Sequence, residues 1–235
     1  MTNNWSSQAN RILAIGAVLV VAALMYSIKT VRAHDDNGDQ NEESLVQRGF
    51  EVAPVQLNLA GKDRALVGLG SYIVNVTGDC NGCHSAGPKT EFAPGGNPYF
   101  LIPPFTGTKQ VNTATYLGGG RDFGPVGSVL HLYSRNLTPD KTGLPEGGHT
   151  YEQFVEIMRT GADLDNVHPN CTAPGVPANC FEPPINGSLL QVMRWPSFQN
   201  MTDHDLRAIY EYLSAIPCNP GPGIAGADYL QNTCQ

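Results

Sequence analysis

Apolar residues recur at helical spacing in three places beyond residue 60. Leu66, Leu69, Ile73, Val74 and Val76 predict a helix within residues 61–77. Phe154, Ile157 and Met158 mark the inner side of an amphipathic helix over 150–160. Leu206, Ile209, Tyr210, Leu213 and Ile216 form one stripe over 203–216, which Pro217 ends. Gly70 lacks a side chain that would hold a neighbouring helix away, so the first and last helices are expected to cross near Gly70 and Tyr210. Residues 86–133 lack a helical period and read as an irregular wrap with room for a short hairpin. Near the start, Ile12 to Ile28 runs 17 residues without a charge or a polar face. As a helix it would span ~26 Å, near the lower limit for crossing a bilayer.

The first 33 residues therefore read as a membrane anchor or signal segment. A retained anchor is favoured. The apolar run exceeds the usual signal core, and Lys29 and Arg32 stand where a cleavage region is normally neutral. Cleavage near Ala33 is the alternative, and either way the body of the protein is exported. Residues 34–58, opening with five acids in 34–45, read as a solvated acidic linker reaching roughly 25–30 Å. A single domain follows over 59–217, and 218–235 form a tail.

Composition narrows the classes. Hydrophobic residues make up 41% of the 235, enough for a core, while 26 glycines and 18 prolines favour turns. This excludes a long coiled coil, a polytopic membrane protein and a disordered polymer. The net charge is −7, and residues 1–33 hold Arg11, Lys29 and Arg32 without any acid, leaving 11 bases against 21 acids beyond them. Such a body is unsuited to nucleic acid, whose recognition relies on Lys and Arg, and suits a partner with a basic docking face.

The six cysteines divide by spacing. Cys80-Asn81-Gly82-Cys83-His84 has the CxxCH spacing of covalent haem attachment. Two thiols a short turn apart can add to the vinyl groups on one edge of a haem, and the adjacent imidazole then reaches the iron. A thioredoxin-like pair needs a preceding strand, but a helical pattern precedes this motif. A zinc site needs two more ligands, and no second CxxC or HxxxH exists. A disulfide between Cys80 and Cys83 would close a tight ring. Cys171, Cys180, Cys218 and Cys234 lie in an oxidising compartment and are expected to form disulfides. Local pairing gives Cys171–Cys180 and Cys218–Cys234, one of three possible connectivities.

A carrier of electrons commonly places a methionine sulfur opposite the histidine, which favours ferrous iron and raises the potential. Three methionines follow the motif. Met158 falls inside a helix. Met201 precedes Thr202-Asp203-His204-Asp205, a cap-like start, and with Leu206 occupies the two positions of a hydrophobic staple. Met193 has no such role and lies in an extended stretch before the last helix, so His84 and Met193 are the expected iron ligands, with Met201 second. Among the remaining histidines, His149, His168 and His204 read as loop or surface residues. His131, within Val129–Tyr133, is the alternative ligand.

Three segments then resemble the cytochrome c subunits of membrane-bound bacterial alcohol and gluconate dehydrogenases: GSYIVNVTGDCNGCHS at 70–85, SRNLTPDKTGLPEGGHTYEQFVEIMRTGAD at 134–163 and VMRWPSFQNMTDHDLRAIYEYLSAIP at 192–217. The resemblance implies a mainly α, class I-like cytochrome c fold with long Gly/Pro-rich loops behind an N-terminal hydrophobic helix. It implies one covalent heme c on Cys80 and Cys83, His84 and Met193 as axial ligands, and Trp195 close to the haem. Arg194 stands where the family usually has proline, and one haem motif stands where those subunits often carry several. The expected function is that of a single-haem electron carrier rather than an enzyme, on the periplasmic side of the inner membrane. It would serve a dehydrogenase, an oxidase or another cytochrome in a respiratory chain. The alternative is a haem enzyme or gas-binding sensor with an open iron position and His131 as its distal group.

Overall fold

The computed structural model describes residues 40–87, 89–100, 109–172 and 179–235. The chain divides into two compact units, 1–44 and 45–235. Of the first, only 40–44 are described, and they are helical. The apolar run at 12–28, with its expected anchor helix, lies outside the described residues. Among the described residues no helix is long and apolar enough to cross a membrane.

The second unit is mainly helical. Its elements are α1 (residues 45–52), α2 (Arg64–Tyr72) running into a π turn (Ile73–Thr77), α3 (Cys80–His84), α4 (Tyr151–Thr160), α5 (Trp195–Phe198) and α6 (Asp203–Leu213), with a final 3₁₀ turn at Asp228–Leu230. Among the described residues β-structure is confined to isolated bridges.

The linker expected over 34–58 is in part folded. Residues 40–52 are helical, and Val46 is 5% exposed in the same core as Val67 and Leu206. The acids at 35, 36, 39, 42 and 43 hid an apolar face that begins only at Leu45. Gly49 and Gly68 let α1 and α2 touch backbone to backbone. A methyl group on Gly49 would lie 1.8 Å from the Gly68 carbonyl oxygen, and Ser71 Oγ donates to the Gly49 carbonyl at 2.7 Å.

Asp63 caps α2, accepting from the amides of Ala65 and Leu66 at 2.8 and 3.3 Å. Its other face meets α6. A Cβ on Gly70 would approach the Ala208 carbonyl oxygen to 1.9 Å and Tyr212 Cβ to 2.8 Å. The expected crossing is therefore present, centred on Ala208 and Tyr212, to either side of Tyr210. The Gly78 amide reaches back five residues to the Ile73 carbonyl at 2.7 Å, adding one residue to the turn. That extra residue brings Asn75 between Tyr116 and Tyr212. Its amide donates to Tyr212 Oη at 3.1 Å and accepts from Tyr116 Oη at 2.6 Å, and the two hydroxyls lie 2.7 Å apart.

The other helix ends follow their sequence signals. Thr150 and Gln153 form a reciprocal capping box at the start of α4, and Gly161 ends it at φ +72°. Thr202 accepts from the Asp205 amide to start α6. Arg159 then fastens the two helices, donating to the Gln199 and Met201 carbonyls and pairing with Asp203 at 2.7 Å.

The wrap over 86–133 contains the short hairpin. Asp122 and Tyr133 bridge, and reciprocal bonds join Val126 and Val129 around its turn. Both disulfides pair locally, Cys171–Cys180 and Cys218–Cys234. The second anchors the tail, whose Asn219 and Leu230 carbonyls accept from the buried Asn136 side chain.

Candidate functional site

The π turn ends at Gly78, and Asp79 turns the chain at φ +45°, so the CNGCH segment starts a new helix, α3, off the axis of α2. Three bonds hold α3 in the loop that follows. Asn81 Oδ1 accepts from the Leu117 amide at 3.0 Å, the His84 carbonyl accepts from the Gly119 amide at 2.8 Å, and Arg121 donates to the Gly82 carbonyl. Cys80 and Cys83 are both free thiols; Cys80 is half-buried and Cys83 exposed. Burial, reinforced by Asp79, pushes the Cys80 thiol up to about 12, so it is protonated at neutral pH.

His84 Nδ1 lies 2.8 Å from the Arg135 carbonyl oxygen. A carbonyl can only accept, so Nδ1 carries the proton and the Nε2 lone pair is left for another partner. Burial pulls the imidazole below its usual value; the bond to Arg135 opposes this and the nearby guanidinium adds to it. The ring is therefore neutral at physiological pH, the form a metal ion takes.

Cys80, Cys83, His84 and Met193 all line one cavity of about 350 Å³. Ile73 and Val74 from α2, Phe154, Ile157 and Met158 from α4, and Ile209 and Leu213 from α6 form an apolar lining. Leu189 to Met193 close another side. That strand-like stretch is laid over the end of α4. Leu189 bridges Ala162, and the Leu190 amide donates to the Gly161 carbonyl at 2.7 Å. Val192 then takes φ +66°, which redirects the chain before Met193. Met201 and Met158 also line the cavity, Met158 as a core residue of α4 and Met201 with its carbonyl engaged by Arg159.

Trp195 is not among the lining residues. Its indole donates to the Leu190 carbonyl at 3.2 Å and covers Gly161, where a Cβ would come within 2.3 Å of the ring. It braces the Met193 loop from behind. His131 is likewise off the cavity: 58% exposed, it faces Asp122 at 2.9 Å and stacks on Tyr133. In the hairpin its side chain falls on the solvent face, away from the cavity.

The cavity also has a polar wall that the sequence did not announce. Arg135 pairs with Asp163 at 2.7 Å and Asp165 at 2.5 Å, and His149 Nε2 lies 3.6 Å from Asp165. Glu146 and His168 complete it, and Glu146 Oε2 and His168 Nε2 are buried without a hydrogen-bond partner. His149 and His168, read from sequence as loop or surface residues, do lie in loops but line the cavity.

A haem needs an apolar slot for its ring, two thiols at one edge, axial donors and polar groups for its carboxylates. The lining supplies apolar walls, two free thiols, a neutral oriented imidazole, a thioether side chain, the Arg135 guanidinium and a buried His168 Nε2 without a partner. The residues present fit the group. Among the described residues no cluster of three or more His, Cys, Asp or Glu gathers as for a caged metal ion.

Comparison with known proteins follows the same lines. Over 151 residues, 64% of the chain, it is 28% identical to the alcohol dehydrogenase (quinone) cytochrome c subunit of Gluconacetobacter polyoxogenes. Over 149 residues it is 28% identical to the gluconate 2-dehydrogenase cytochrome c subunit of Pantoea cypripedii. The matched stretch covers 22% of each relative, so the chain spans about a fifth of the length of the curated proteins it matches. No family model matches the chain, and no solved structure does. Over nearly two thirds of its length, then, this chain resembles the cytochrome c subunits of alcohol and gluconate dehydrogenases.

Proposed function

We propose that this protein is an exported, single-haem c-type cytochrome that passes single electrons between redox partners of a respiratory chain. The observation that carries the reading is the CxxCH helix lining a largely apolar cavity, with His84 Nδ1 tied to a backbone carbonyl so that Nε2 is left for iron. Bound there, heme c supplies a one-electron ferric/ferrous couple. Cys80 and Cys83 tether it, so the cofactor stays in place where little protein covers that edge. Arg135 fixes the tautomer and direction of His84. Met193 would hold the iron through its thioether, from a loop braced by Trp195 and Gly161. The apolar walls exclude water, which favours the less charged iron state.

The order of elements, with α2 crossed by α6 and α3 immediately after α2, supports a class I-like cytochrome c fold over 59–217, closed by the disulfide-tied tail 218–235. The acidic body suits a basic docking face on the partner, be it a dehydrogenase, an oxidase or another cytochrome. An electron carrier needs no substrate chemistry of its own, so the chain is not an enzyme in this reading. Residues 1–33 anchor it on the periplasmic side of the inner membrane.

The test is the mass and spectrum of protein made in a host that attaches haem. The expected result is a mass increased by one haem, retained after denaturation, and a low-spin ferrous spectrum. Cys80→Ala or Cys83→Ala leaves a single thioether link and a shifted ferrous band. Protein of unmodified mass would sink the reading.

A further inference from the structure

Arg135 joins two parts of the cavity wall. Its carbonyl holds His84 Nδ1, while its guanidinium is engaged by Asp163 and Asp165. Asp165 in turn faces His149 Nε2, and His149 Nδ1 returns to the Glu146 carbonyl at 2.8 Å. The Glu146 side chain lines the cavity, with Oε2 buried and without a hydrogen-bond partner. Electron transfer as proposed above uses none of Glu146, His149 or Asp165.

We propose that Glu146 is a proton-binding site coupled to the electron: its carboxylate takes up one proton from solvent when the cavity gains an electron and releases it when the electron leaves. This rests on the haem reading. The argument is one of charge in a poorly solvated wall. Arg135 carries one positive charge and is already opposed by two aspartates, so it offsets the Glu146 charge only in part. His149 is shared with Asp165. The other groups facing Glu146 are the Cys80 thiol and the Tyr210 hydroxyl, which donates to the His149 carbonyl at 3.1 Å; neither brings positive charge. An added electron raises the cost of a carboxylate in the same wall, and a proton on Glu146 Oε2 removes that cost. Burial first, opposed by His149 and Arg135 and aided by Asp165, already pushes this carboxyl up to about 7, so a small change of field moves its proton at neutral pH.

The step balances. One electron from a reduced one-electron donor protein converts ferric to ferrous iron, and one proton from bulk water forms an O–H bond on Glu146. When an oxidised acceptor takes the electron, that bond breaks and the proton returns to water.

The test uses purified, haem-loaded protein, titrated optically with mediators between about pH 5.5 and 8.5 around the Glu146 value of about 7. The expected result is a midpoint potential that falls as pH rises through neutrality and is flat over the same range in Glu146→Gln. Redox-difference infrared spectra of the native protein should show a protonated-carboxyl C=O band in the reduced form, absent from the variant. A pH-independent potential in the native protein would overturn the proposal, as would an unchanged slope in Glu146→Gln, which assigns the proton to His149 or to a carboxylate of the cofactor. If the variant does not fold, a native spectrum without the carboxyl band still overturns it. Protein that carries no covalent haem sinks the haem reading, and this inference with it. That failure is read from the mass before any titration begins.

Discussion

Three methionine sulfurs border the cavity, and what separates them is how each backbone is held. Met158 is fixed within α4, and Met201 is tied through its carbonyl to Arg159. Met193 follows a left-handed Val192 on a loop braced by Trp195. Met193→Ala is therefore expected to abolish the far-red sulfur–iron charge-transfer band of the ferric protein and to lower its potential, while Met201→Ala keeps the band. Persistence of the band in Met193→Ala would move the ligand to Met201. Glu146 carries a second prediction, for stability. Its folded value, about 7, lies above the ordinary carboxyl value of 4.5, so the native state holds more protons than the unfolded state between the two. Stability is then lost as pH rises through that window. Glu146→Gln should unfold less readily than the native protein at pH 7.5, by on the order of 2 kcal/mol, and the gap should close toward pH 4.5. Denaturant unfolding of the ferric protein across that range checks it. At this scale the short spacing of Cys80, Cys83 and His84 already placed them side by side, and the three line one cavity. The sequence was silent on Glu146, because a carboxylate in a Pro-Glu-Gly-Gly turn looks exposed until loops from elsewhere cover it.

Helix by helix, the pattern of apolar residues located α2, α4 and α6 and left their junctions open. The two glycines of α2 show how the junctions are made, Gly68 admitting α1 and Gly70 admitting α6. Gly70→Ala places a methyl group against a backbone carbonyl rather than a flexible side chain, so the helices must separate. The expected loss is about 3 kcal/mol in denaturant unfolding, at the upper end for overpacking. Thr150→Ala, which removes one half of a capping box, should cost only about 1 kcal/mol. A smaller loss at Gly70 than at Thr150 would mean that the α2–α6 contact is not tight. Gly70 was readable as an approach site because a glycine inside an apolar helix has few other uses. The folding of 40–52 was not readable, since its apolar face is short and its N-terminal part is acidic.

The unit over 45–235 is a small set of crossed helices with long loops, and two disulfides crosslink those loops. The Cys218–Cys234 bridge closes a separation of 16 residues and keeps the tail against Asn136. Cys218→Ser with Cys234→Ser should cost about 3 kcal/mol, read as a lower thermal midpoint with the haem spectrum retained. The sequence by itself determined the periodic and local features: where a CxxCH motif stands, which cysteines lie near one another along the chain, which faces are apolar and where helices start. These depend on neighbours a few residues away, and such neighbours are written along the chain. Tertiary structure alone decided that His131 faces solvent while His149 and His168 face the cavity. It also set Trp195 behind the Met193 loop and buried Glu146 Oε2 without a hydrogen-bond partner. Those outcomes depend on which distant loop covers a residue, and burial, not residue type, sets whether a carboxyl or imidazole there is charged.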